Sequence, residues 1–64
     1  MKWLVVSEGT SFDSALSLAT ANDCVGWYTG IPPIYQAQAA VEGWVLPCVV
    51  TMNDEGMIIS WTPV

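Results

Sequence analysis

Histidine and arginine are absent from this chain of 64 residues, and lysine occurs once, as Lys2. Each absence removes a class of function. Without imidazole, no side chain has an ordinary pKa suited to passing protons near neutral pH. Serine, threonine and cysteine nucleophiles then have no base to activate them. Without arginine there is no planar fork for phosphate or carboxylate. A single lysine cannot neutralise the row of phosphates that nucleic-acid binding requires. Gly26, Gly30, Gly43 and Gly56 are dispersed, and no GK[ST] phosphate loop occurs. Two cysteines with no histidine cannot build a conventional zinc site. No apolar stretch approaches the roughly 18 residues of a membrane span. Together these gaps predict a protein that is not an enzyme and holds neither cofactor nor metal.

Acids and apolar residues are what remain. Six carboxylates give a net charge of −5, 53% of the chain is hydrophobic, and mean hydropathy is +0.47. Intrinsic disorder of the highly charged, weakly hydrophobic kind is excluded, and residues 1–64 are expected to form a single compact domain. Area scaling gives roughly 4,000 Å² exposed when folded against about 10,000 Å² unfolded. Apolar burial then contributes on the order of 90 kcal/mol, against about 95 kcal/mol for ordering the chain. A balance so near zero leaves room for a disulfide, an oligomer or a partner. A bridge between Cys24 and Cys48 would close a loop of about 25 residues, stabilising by about 3 kcal/mol. The preferred reading is two reduced thiols packed as small hydrophobes. Met1 to Val6 looks like the opening of a signal peptide, but Ser7-Glu8-Gly9 ends the apolar run too early. The start at Met1 suggests a complete gene product, and the expected compartment is the cytoplasm, where disulfides are rare.

The apolar pattern predicts an α+β fold: a three-stranded, antiparallel-type sheet over 3–6, 44–52 and 57–62, with helices 11–22 and 33–42 on one face. Trp3 to Val6 is a short, continuous apolar run. Phe12, Ala15, Leu16 and Ala19 recur at helical spacing, after Thr10 or Ser11 as a cap and before Asn22-Asp23 as a stop. Pro33 suits the first turn of the second helix, Ile34, Ala37 and Val41 line one side of it, and Gly43 suits its end. Asn53-Asp54-Glu55-Gly56 reads as a four-residue hairpin turn. Pro47 places its strand at an edge or a bulge. Strict alternation in the last strand would put Ile58, Ser60 and Thr62 on one face and Met57, Ile59 and Trp61 on the other. Residues 24–30 are readable either as strand or as irregular chain.

The candidate functional residues follow from the same inventory. Glu8, Asp13, Asp23, Glu42, Asp54 and Glu55 each fall at a turn or helix end, where they are either solvated or part of an anionic surface facing a basic partner. Four tryptophans are too many to bury completely in so small a chain. Trp27 and Tyr28, flanked by Gly26 and Gly30, are the candidate binding anchors, since both residue types are enriched at hot spots. The alternative is that both pack against the helices.

The whole-chain profile, with Met1 at its start, Lys2 as its one base and those six acids, resembles the small acidic inhibitors of phages and mobile elements, above all anti-CRISPR proteins. The resemblance implies a protein–protein inhibitor in the cytoplasm of a bacterial host. It implies binding to a CRISPR effector such as a Cascade-like surveillance complex and blockade of its target-DNA or PAM site, with no direct contact to nucleic acid or membrane. A small structural or self-assembling protein, such as a homodimer, is the second reading. Strands apolar on both faces and few charges would suit it.

Overall fold

The computed structural model describes all of residues 1–64. Its elements are strand β1 (Lys2–Val6), helix α1 (Phe12–Ala21), strand β2 (Trp27–Thr29), a 3-10 turn (Pro33–Tyr35) running into helix α2 (Gln36–Glu42), strand β3 (Cys48–Met52) and strand β4 (Ile58–Pro63). The class is α+β as the sequence indicates, but the sheet has four strands, in the order β2-β1-β3-β4. Residues 27–29 supply the extra one. They pair parallel to β1, with Leu4 opposite Trp27 and Val6 opposite Thr29, whereas β1–β3 and β3–β4 are antiparallel. A parallel neighbour needs a crossover, and α1 provides it.

Both faces of β1 are covered by packing. Leu4 and Val6 pack on Ala15 and Ala19 of α1. Val5 points the other way and joins Cys48, Val50, Met52, Ile58 and Tyr35. The two helical segments therefore sit on opposite faces, not on one face as the sequence pattern suggested. A strand apolar at every position signals burial on both sides, and Leu4, Val5 and Val6 are all essentially inaccessible. The exposed surface of the whole chain is 4023 Å².

Helix α1 begins at Ser11, whose hydroxyl accepts a hydrogen bond from the Ser14 amide at 3.2 Å. It stops at Asn22, after which Asp23 takes a left-handed φ of 56°. Its buried side is small: Ala15 and Ala19 let the helix lie close to the sheet, and Phe12 and Leu16, expected in the core, remain exposed. The second helix is also turned relative to expectation. Tyr35 and Ala39 face inward, so Ile34 and Val41 point to solvent at 75% and 88% exposure. Gly43 ends this helix with φ 70°, as its position predicts.

Strand β3 starts only at Cys48 and is an interior strand whose register shift falls at Thr51/Met52, which corrects the 44–52 range and the edge-or-bulge reading of Pro47. Proline has no N–H to give a ladder. Pro47 lies just outside the strand and contributes only its carbonyl, which accepts from the Val64 amide at 3.0 Å. In β4 a register shift opposite Thr51 and Met52 breaks alternation. Ile58 and Trp61 consequently share the Val50 face, Ser60 and Thr62 take the other, and Ile59 is extruded to solvent. In the hairpin turn, the Asn53 side-chain oxygen accepts from the Glu55 and Met57 amides, each at 3.0 Å, and Gly56 adopts φ 79°.

Tyr35 ties the 3-10 turn to this hairpin. Its buried hydroxyl accepts from the Ile58 amide at 3.3 Å. Tyr35→Phe leaves that buried N–H without a partner, so a loss of about 1–3 kcal/mol is expected. Urea unfolding with an unchanged slope and a lower midpoint would report it. An unchanged midpoint would mean that water or another acceptor replaces the hydroxyl.

Candidate functional site

The parallel β1–α1–β2 unit collects the C-terminal ends of two strands and the N-terminus of a helix at one end of the molecule. Ligands of open α/β sheets commonly bind at such ends. Here β1 runs into the turn that carries Glu8, and β2 runs into Gly30, Ile31 and two prolines. Between them lies an open groove of about 510 Å³, bordered by Glu8, Trp27, Tyr28, Thr29, Pro33 and Gln36. Trp27 and Tyr28 are adjacent in β2, so their rings leave opposite faces of the sheet. Both are nevertheless among the residues that border the groove.

Each ring is fixed by a second aromatic. Trp27 meets Phe12 of α1 edge-on, with centroids 5.2 Å apart and planes at 71°. Tyr28 lies against Trp3, also at 5.2 Å, with planes at 33°. Such tilted and T-shaped pairs suit the aromatic quadrupole. Both residues are half-buried. They hold a defined position and still present surface. The Glu8 side chain folds over Gly30: its Cγ and one carboxylate oxygen would each stand 3.2 Å from a β-carbon placed there. Gly30 also has φ 89°, a left-handed conformation that disfavours any side chain. Glycine at this position is what lets the carboxylate sit at the groove wall.

Asp13 belongs to the same end, in the first turn of α1 beside Phe12, where the helix dipole favours negative charge. The other sequence-derived candidates lie elsewhere. Glu42, at the end of α2, accepts from the indole N–H of Trp44 at 2.9 Å and from the Gln38 amide at 3.3 Å. Asp23 follows α1, and Asp54 and Glu55 occupy the β3–β4 turn. Both turns flank the start of β1, since the Val25 amide bonds to the Lys2 carbonyl and the Met52 amide to the Met1 carbonyl. The fold thus gathers Glu8, Asp13, Trp27 and Tyr28, holds Glu42 apart on α2, and sends Asp23, Asp54 and Glu55 to the opposite end with Lys2.

Gly30, Pro33 and Gln36 also line the groove, and Phe12 backs it through Trp27, although the sequence reading gave none of them a functional role. The available signal was the β-helix-β spacing between Trp3–Val6 and Trp27–Thr29, which puts the start of the helix beside the second strand's end. No three of the Cys, Asp and Glu side chains come together as a metal-binding group.

The two thiols are separated by the sheet. Cys24 packs with the α1 side, whereas Cys48 is in the cluster around Val50, and both are free. Burial pushes both thiols above their ordinary 9.0. For Cys24, nearby Lys2 acts in the opposite direction and Asp23 adds to the rise. Above about pH 9 the unfolded chain releases these protons before the folded one does, so stability is expected to fall as pH rises through that range. Thermal melts from pH 7 to 10.5 should show a shallower alkaline decline in Cys48→Ala than in the native chain; equal slopes would remove Cys48 from the account.

No family model, curated protein or solved structure matches this chain. No helix is long and apolar enough to cross a membrane.

Proposed function

We propose that this chain is a non-catalytic inhibitor that binds a basic surface on a nucleic-acid-handling protein complex, in the manner of an anti-CRISPR acting on a Cascade-like surveillance complex. Its working compartment on this reading is the bacterial cytoplasm. The observation that supports it most is the pairing of held aromatic rings with a carboxylate in one groove, in a chain whose acids outnumber its basic side chains six to one. At least five carboxylates therefore have no basic side chain of their own to pair with. Such a surface attracts basic protein grooves, over a Debye length of about 8 Å at physiological salt, and repels nucleic acid.

Inhibition on this reading is competition. A complex that holds target DNA offers a cationic groove to the phosphate backbone, and an acidic protein seated there excludes the DNA by charge and by bulk. Duplex DNA carries one charge per about 1.7 Å, far denser than six acids spread over this surface. Trp27 and Tyr28 accordingly supply contact area and the carboxylates supply orientation and encounter rate.

The test is target-DNA binding by a purified Cascade-type complex with and without the chain. The expected result is loss of PAM-dependent DNA retention as the chain is added, weakening as salt rises. Undiminished DNA binding at saturating chain would reject the reading. The exposed Ile34 of the 3-10 turn and Val41 of α2 favour self-assembly as a second reading. Light scattering at two salt concentrations separates them: a salt-insensitive dimer supports assembly, and a monomer supports inhibition.

A further inference from the structure

We infer that the free edge of β2 and the groove at its end form a docking site for an extended, arginine-bearing protein segment, which adds to the sheet as a fifth strand and lodges a guanidinium between Tyr28 and Glu8. This rests on the proposed binding to a basic protein partner and specifies where that partner is gripped.

The backbone directions are set by bonds at both ends of β2. The Gly26 carbonyl accepts from the Leu4 amide at 3.0 Å, and the Gly30 amide donates to the Val6 carbonyl at 2.6 Å. Residues 26, 28 and 30 thus turn their polar backbone toward β1. By alternation, Trp27 and Thr29 turn theirs away from the sheet, where no strand lies. An incoming strand pairs with these groups, the mode by which sheet edges capture extended peptides.

The other sheet edge is closed to this use. Outward positions of β4 include Pro63, which has no N–H, and the register shift near Ile59 interrupts the row. Prolines and bulges are the usual protections of an edge. On β2 they are missing: Pro32 and Pro33 lie beyond the strand and line the groove.

Charge selects the occupant. Glu8 is the one ionisable acid or base lining the groove apart from the Tyr28 hydroxyl, while Lys2 lies at the far end of β1. Asp13 stands in the adjoining helical turn. A second copy of this chain would bring its own Glu8 and a net charge of −5 to the same place, so self-pairing is opposed. A guanidinium suits both walls: it forks onto a carboxylate and stacks on aromatic faces, which an ammonium does less well.

The probe is a capped six-residue peptide alternating arginine and valine, titrated into the intact ¹⁵N-labelled chain. The expected result is chemical-shift change centred on Trp27 to Gly30, with slowed amide exchange at Trp27 and Thr29. Replacing arginine by lysine, or N-methylating alternate peptide amides, is expected to weaken binding about tenfold. Glu8→Gln, at an exposed site, should weaken it about fivefold with the free spectrum otherwise preserved. Shifts confined to the Asp54–Glu55 turn, or no slowing at Trp27 and Thr29, would overturn the docking site. If the chain still displaces DNA from the surveillance complex in that case, the inhibitor reading survives and only the grip is wrong; if neither occurs, both fail.

Discussion

Gly26→Ala is expected to lower stability by about 2–3 kcal/mol. A β-carbon at residue 26 would stand 2.6 Å from the Trp3 ring, and the next two ring atoms lie at 3.1 and 3.4 Å. The strand cannot move aside, because the Gly26 carbonyl is bonded to the Leu4 amide inside the sheet. Nor can the ring, which is packed against Tyr28 and the Val5–Val50 core. For a domain of this size the cost corresponds to a fall in Tm of roughly 10–20 °C. Gly9→Ala is the control: its φ of 88° strains a side chain, but nothing lies within 4 Å of the added carbon. Its cost should stay at about 1–2 kcal/mol. Combining Gly26→Ala with Trp3→Leu should cost less than the two singles together, since the second change makes room for the first. A native-like Tm for Gly26→Ala would mean that Trp3 does not lie over β2, and the aromatic wall of the groove would lose its support.

Asp54→Lys with Glu55→Lys is expected to slow association with a basic partner about tenfold at low salt, while dissociation and Tm change little. Each reversal adds two charge units, so the chain moves from −5 to −1. The turn should survive, because its bonds run from the Asn53 side chain to backbone amides and involve neither replaced side chain. These acids lie at the opposite end from the groove, so their action is steering and not contact. The neutral pair Asp54→Asn with Glu55→Gln should give an intermediate rate. Equal association rates for all three chains would remove the long-range electrostatic part of the account.

Much of this fold is visible in the residues themselves. The cap at Ser11, the stops at Asn22-Asp23 and Gly43, the turn at 53–56 and the apolar run of β1 are local chemistry, and local chemistry reads directly. What was hidden is tertiary. Trp27–Thr29 is too short and too glycine-flanked to announce itself as a strand, and only its pairing with β1 makes it one. Ile34, Ala37 and Val41 have helical spacing, but Tyr35 competes for the same core with a larger ring and a hydroxyl that satisfies the Ile58 amide, and it turns the helix. Alternation in β4 fails because one residue is extruded, which spacing alone does not reveal. The candidate site shows the same division. Trp27, Tyr28 and Glu8 stand out by type, but only the crossover brings Glu8 of one turn to the end of the other strand, and it leaves Asp23, Asp54 and Glu55 at the opposite end.

The most direct test of the central claim is equilibrium binding of the intact chain to a purified Cascade-type complex, measured over rising salt with a PAM-bearing duplex as competitor. An acidic, aromatic-anchored inhibitor should bind more weakly as salt rises, should be mutually exclusive with the duplex, and should not retain the duplex itself. Binding indifferent to salt and compatible with bound DNA, or capture of the duplex by the chain alone, would contradict it.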